Sequence, residues 1–149
     1  MNRNISALLS AGPSRVDLSL LIVRVATGLM ILPHGIYKLM DGASGLAKGL
    51  AAGGLPAAGL FAWCATLAEA VGGALMVLGL LTRPASAAVS FTMVVAWVMV
   101  HLGDLPKIGA QGGAAFEYPF LLSMAALAIA IAGGGRYSLD ARLFDKRPS

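Results

Sequence analysis

Charged side chains are what this chain has least of. Lys and Arg number 11 and Asp and Glu 7 among 149 residues, 12% in all, where ordinary soluble domains carry roughly 25%. With 58% hydrophobic residues, that shortage marks a membrane-protein composition on a length that suits one domain. Cysteine is reduced to a single residue, Cys64. An internal disulfide and a C-x-x-C dithiol centre are therefore excluded, and Cys64 reads as a small apolar filler in a helix. The net charge of +4 does not point to nucleic acid, because the basic residues lie between and after the apolar runs, where they anchor topology. No cleavable signal peptide is expected. The first apolar run is too long for an h-region and contains Arg24.

Long apolar runs fill the rest. Four of them, at about 17–39, 56–81, 84–102 and 115–132, approach or exceed the ~20 residues needed to span a bilayer. Runs such as 67–81 and 121–132 leave no polar face for water. The expected fold is all-α, an integral membrane four-helix bundle in one domain over residues 1–149. Ser14 or Asp17 is expected to cap the first helix, Pro33 to kink it, and Pro56 to sit in the first turn of the second. The Gly-rich segment 41–55 reads as a loop, a re-entrant piece or a close-packed interfacial helix. Gly133-Gly134-Gly135 ends the fourth span. Four spans put both termini on one side. That side carries Arg3, Arg15, Arg83, Arg136, Arg142, Lys146 and Arg147, against Lys38, Lys48 and Lys107 on the other. The asymmetry predicts cytoplasmic termini and a multi-pass protein of a bacterial inner membrane.

Against this apolar background, Arg24, His34, Glu69, His101 and Glu117 lie inside or at the rims of the spans. Charges there cost several kcal/mol, so they are rare and face a partner, a cavity or a ligand. At a rise of ~1.5 Å per residue, His34, His101 and Glu117 reach one level, about 25 Å above the terminal side, with Glu69 near 18 Å and Arg24 near 10 Å. Arg24, Thr27, Ile31, His34 and Lys38 share one helical face. Glu69 shares a face with Thr66, Gly73 and Met76, and His101 with Ser86, Ser90 and Trp97. The expected result is a polar pocket near the outer face, with Arg24 and Glu69 at its floor.

Each residue has a plainer role beside the functional one. Arg24 and Glu69 suit a structural ion pair, Glu117 an N-terminal cap, Lys38 a snorkelling anchor, and Trp63, Trp97, Tyr37 and Tyr118 an interfacial belt. Read functionally, two His and a Glu suit a metal, and two His suit haem iron. A quinone needs only hydrogen-bond donors and a protonatable acid among apolar walls. The quinone is preferred, since nothing in the sequence fixes metal geometry.

His34-Gly35-Ile36-Tyr37-Lys38-Leu39 ends the first span, Ala68-Glu69-Ala70-Val71-Gly72-Gly73 lies in the second, and Leu78-Gly79-Leu80-Leu81-Thr82-Arg83 follows. Val100-His101, then Gly113 with Glu117-Tyr118, then Gly133-x-Gly135-x-x-Ser138-Leu139-Asp140 complete the order. This set, over residues 18–143, resembles the DoxX family of small four-helix bacterial membrane proteins. The resemblance implies an inner-membrane bundle. It also implies links to a thiosulfate:quinone oxidoreductase subunit, to redox stress and thiol balance, and to eukaryotic four-helix cargo receptors or assembly chaperones. The family's polar positions fall on Arg24, His34, Lys38, Glu69, His101 and Glu117.

The expected function is a membrane redox-associated protein that binds a quinone or similar small molecule, a candidate subunit of a quinone-linked oxidoreductase. Glu69 and Glu117 would exchange protons, and Arg24, His34, Lys38, Trp97 and His101 would hold the ligand. The alternative is an assembly or chaperone subunit whose buried polar residues only specify helix packing. Expected partners are the lipid bilayer, a soluble or membrane redox protein, and a second copy of the chain; nucleic acid is not among them.

Overall fold

A computed structural model describes residues 13–101, 108, 113, 114 and 116–144. Among these residues the chain is all-helical, apart from one isolated bridge between Ile108 and Ala114. The elements are α1 (Pro13–Met40), α2 (Ser44–Ala52), α3 (Ala58–Leu78), α4 (Thr82–Ala96) continuing into a π-helical turn (Trp97–His101), α5 (Glu117–Ala132) and α6 (Leu139–Leu143). Two stretches, Ser14–Met40 and Ala58–Leu78, are long and apolar enough to cross a membrane; α5 is apolar but shorter.

Local chemistry sets the boundaries. Helix α1 begins four residues earlier than expected, with Pro13 at its start, where a missing N–H costs nothing. Asp17 therefore lies inside the helix and does not cap it; its carboxylate instead accepts from the Arg136 N–H at 3.0 Å. Helix α1 runs unbroken through Pro33. The Gly-rich segment is helical over Ser44–Ala52. Asp41 starts it, its Oδ2 accepting from Gly45 N–H at 2.8 Å and Ser44 Oγ at 3.1 Å. Pro56 falls outside α3, in the turn before the left-handed Ala57.

Helix α1 packs chiefly on α3, α3 on α4, α4 on α5, and α5 back on α1, while α2 lies on α3. The core is small-grained: Ile31, Met76, Val89, Met93, Leu122 and Ile129, with Ala85 and Ala126. The α1–α3 seam is the tightest. A Cβ on Gly35 would land on the backbone of Glu69 and Ala70, and one on Gly28 would meet the Gly73 carbonyl at 2.8 Å. Small residues let two helix backbones approach this closely, which is how helices associate where water supplies no hydrophobic drive. The outward faces are strongly apolar, with Ile22, Leu60, Phe91, Leu121 and Ile131 exposed. A surface of that kind would aggregate in water and suits lipid.

Candidate functional site

Two charged side chains are driven into this seam, at opposite ends. Towards the far end from the termini, Glu69 on α3 is 1% exposed, and Lys38 at the last turn of α1 reaches over it. The Lys38 ammonium donates to both carboxylate oxygens, at 2.5 and 2.7 Å. The close α1–α3 approach makes this geometry available. An ammonium has three donors, so among the described residues one N–H is left over.

That pair closes one end of a cavity of about 390 Å³, within the roughly 300–1,000 Å³ of small-molecule sites. Its walls are apolar: Leu46 and Leu50 from α2, Phe61 and Cys64 from α3, Phe91 and Val95 from α4. Apart from Lys38, Glu69, Cys64 and Thr92, no polar side chain among the described residues lines it. The site thus combines an apolar body with one cation–carboxylate pair, a pattern that takes a molecule with an apolar frame and a polar head.

The expected polar chamber is not what forms. Among the predicted site residues whose side chains are described, only Lys38 and Glu69 come together. Arg24 is not at the floor with Glu69. It is fully buried towards the other end, donating through Nη1 to the Met76 and Val77 carbonyls at 2.7 and 3.0 Å, and through Nη2 to the Tyr137 carbonyl at 3.2 Å. Carbonyls at the end of a helix run short of backbone donors; the Gly79 N–H reaches the Met76 carbonyl only at 3.2 Å, and the cation adds the shorter bond. His34 faces away from the cavity. It is exposed, its Nδ1 is 3.0 Å from its own helix's Met30 carbonyl, and its ring lies 5.6 Å from that of Tyr118 on α5. One residue of helical register turns it aside, since the buried face of α1 is Arg24, Thr27, Gly28, Ile31 and Gly35. Glu117 is exposed in the first turn of α5 and accepts from the Ala114 N–H at 2.9 Å, in the segment ahead of the helix. Trp97 packs edge-on to Phe120 of α5, 5.4 Å away, and is not among the cavity's lining residues. The His101 side chain lies outside the described residues. Among the described residues no three His, Cys, Asp or Glu side chains group as metal ligands do. Lys38 is not a free snorkelling anchor, because it is engaged by Glu69. On α3, Thr66, Gly73 and Met76 are buried with Glu69, and Ser86 and Ser90 are buried on α4.

Two contributors escaped the sequence reading. Cys64 is exposed and lines the cavity, where a filler in the core was expected. Helix α2 supplies a wall; the Leu46–Leu50 spacing, one helical turn, was the signal for it.

The end bearing the termini is a clasp built from the motifs quoted above. Gly79, at φ +72°, closes α3 with its N–H on the Leu75 carbonyl at 2.8 Å, and leaves room for Arg24 where a Cβ would collide with it. Asp140 caps α4, accepting from Leu81 N–H at 2.7 Å and Thr82 N–H at 2.8 Å. Burial pushes the Asp140 carboxyl up. The nearby Thr82 hydroxyl, these two N–H groups and the Arg24 charge outweigh that and hold it below the ordinary 3.8. Ser138 caps α6 through the Ala141 N–H, and Arg136 sits on Asp17.

The DoxX family model matches residues 19–102. The chain is 30% identical over 128 residues to the "Putative oxidoreductase CatD" of Bacillus subtilis (strain 168), covering 86% of this chain and 89% of that protein. It is 36% identical over 137 residues to the membrane protein Rv3486 of Mycobacterium tuberculosis, covering 84% and 81%. A protein of Haemophilus influenzae is 31% identical over 130 residues, covering 85% and 92%. No solved structure matches.

Proposed function

The chain belongs to the DoxX family of membrane proteins, and on that premise we propose that it is a membrane redox-associated protein binding a quinone-type molecule in the Lys38–Glu69 cavity. Helices α1, α3, α4 with its π-turn, and α5 then act as the four spans of an inner-membrane bundle with both termini cytoplasmic, and the cavity lies towards the outer leaflet. The observation that carries the reading is the buried ion pair at the end of an otherwise apolar cavity. The oxidoreductase named among the relatives gives independent support.

A quinone supplies a carbonyl that accepts a hydrogen bond and, on reduction, takes up two protons. The spare N–H of Lys38 is placed to donate to such a carbonyl. Among the described residues Glu69 is the one buried carboxyl beside it, and so the group that would hold or pass a proton. The pair is neutral as a whole, so an uncharged head can lie against it without stranding a charge in an apolar wall. Arg24 and Glu117 leave the mechanism, since their partners are backbone groups. The electrons come from a separate donor protein, soluble or in the membrane.

The test is binding of decylubiquinone to the full chain in lipid nanodiscs, read by tryptophan quenching and by melting temperature. Saturable quenching with a raised Tm is expected, and both are lost in Glu69→Gln and Lys38→Met. An unaltered wild-type Tm with no quenching overturns the reading. The alternative, an assembly subunit whose buried charges only fix packing, is favoured by the Arg24 clasp. It predicts a co-purifying membrane protein and no ligand response.

A further inference from the structure

We infer that the cavity is filled sideways from the membrane, and that its ligand is a lipid-dissolved amphiphile entering between α3 and α4 under the edge of α2. The inference rests on the quinone reading for the identity of the head, and on the shape of the cavity for everything else.

The cavity has a closed end and an open one. At the closed end, Glu69 is 1% exposed. From there the walls run outward to Phe61, Cys64, Ala88 and Phe91, all exposed on the outward faces of α3 and α4. Phe91 is 70% exposed. In a membrane-spanning bundle such faces meet acyl chains, so the mouth opens onto lipid. Among the described residues no charged side chain borders that mouth, so it offers a water-soluble ligand little to recognise.

Helix α2 is built to move. None of its residues is buried, and it leans mainly on α3. Left-handed residues flank it at both ends: Gly42 at φ +62° and Ala43 at φ +58° before it, Gly54 at φ +79° and Ala57 at φ +54° after it. The two alanines hold a conformation that L residues rarely adopt, the kind of strain found where segments switch. The hinge also touches the ion pair's own residue, because the Ala43 N–H donates to the Lys38 carbonyl at 2.8 Å. Lifting α2 therefore loosens the backbone that carries the Lys38 ammonium, which couples entry to release of the head group.

Cys64, the chain's single cysteine, reports on this mouth without engineering. The full chain in phosphatidylcholine–phosphatidylglycerol vesicles is treated with lipid-soluble pyrenylmaleimide or with a membrane-impermeant sulfonated maleimide. We expect labelling by the first at least tenfold faster than by the second, and slowing by decylubiquinone. Leu50→Trp, which thickens the α2 wall, should slow pyrenylmaleimide about tenfold. Phe91→Ala, which widens the mouth and removes no core contact, should speed it severalfold. Equal labelling by the sulfonated reagent overturns entry from lipid, even where decylubiquinone still protects and the quinone reading stands. Labelling that responds to Leu50→Trp and Phe91→Ala without decylubiquinone protection supports the side entrance and sinks the quinone head. Rates indifferent to both substitutions, in proteins of unchanged Tm, overturn the role of α2 and the mouth.

Discussion

The two buried charges of the α1–α3 seam make an instructive pair. Arg24, at the end bearing the termini, spends its donors on carbonyls at the end of α3 and in the following tail. Lys38 and Glu69, towards the other end, satisfy each other and keep an N–H and an apolar cavity beside them. Both sites bury charge in an apolar molecule and, among the described residues, both keep an unused N–H, the buried Arg24 Nε included, yet only the Lys38–Glu69 pair lines the cavity. Burial of a charge is therefore no sign of function by itself; what lies next to the satisfied charge decides.

Substitutions can separate the two ends. The largest loss is expected for Arg24→Met, which frees three carbonyls and leaves Asp140 without its cation. About 3–4 kcal/mol should disappear from stability, measured by thermal unfolding in detergent, with decylubiquinone affinity per folded molecule unchanged. Gly35→Val follows, at about 2–3 kcal/mol, because overpacking forces α1 off α3. It should also remove ligand binding, since the Lys38–Glu69 geometry depends on that seam. Glu69→Gln should cost only about 1 kcal/mol, as polar contacts between membrane helices average well under that ceiling, while abolishing quenching by decylubiquinone. An equal loss of binding in Arg24→Met and Glu69→Gln, at matched folding, would erase the distinction drawn between the ends.

Acid offers a gentler probe. The Asp140 carboxyl is held below its ordinary value in the folded protein. Its contribution is thus complete above the unfolded value of about 3.9 and is lost as pH falls through the lower folded value. Asp41 behaves alike, held low by the Gly45 N–H and then by the Ser44 hydroxyl. The Tm should be flat from pH 7 to 5 with respect to these groups and fall below pH ~4. Asp140→Asn should lower Tm at neutral pH through the loss of one of its two acceptor oxygens and of its charge, about 1 kcal/mol, and shallow the acid limb. His34→Ala should change stability by less than about 0.5 kcal/mol, because its ring is exposed and its Nδ1 contacts only its own helix.

Much of the architecture was readable in one dimension. Helices in lipid must satisfy every backbone group within themselves, so run length and the Gly/Pro punctuation located the long elements to within a few residues. The faces were partly readable too. Thr66, Glu69, Gly73 and Met76 lie at helical spacing and are all buried, whereas His34 was assigned to the same face as Arg24 and lies outside it, since a charge one step off the stripe can turn outward. Heights along a helix were a poor guide to partners. Arg24 was expected to reach up to Glu69, but the carbonyls at the end of α3 lay nearer.

The sequence by itself determined an all-helical membrane protein, because a shortage of charge and long apolar runs admit few other structures, and its ordered motifs carried the likeness to the DoxX family. Tertiary structure alone decided which charges meet and which of them border space. Pairing depends on how closely two backbones approach, at Gly28 and Gly35 against Gly73 and Ala70. The cavity depends on where α2 folds over α3 through left-handed turns. Neither distance nor turn is written in composition or period; both arise when separate helices compete for the same neighbours.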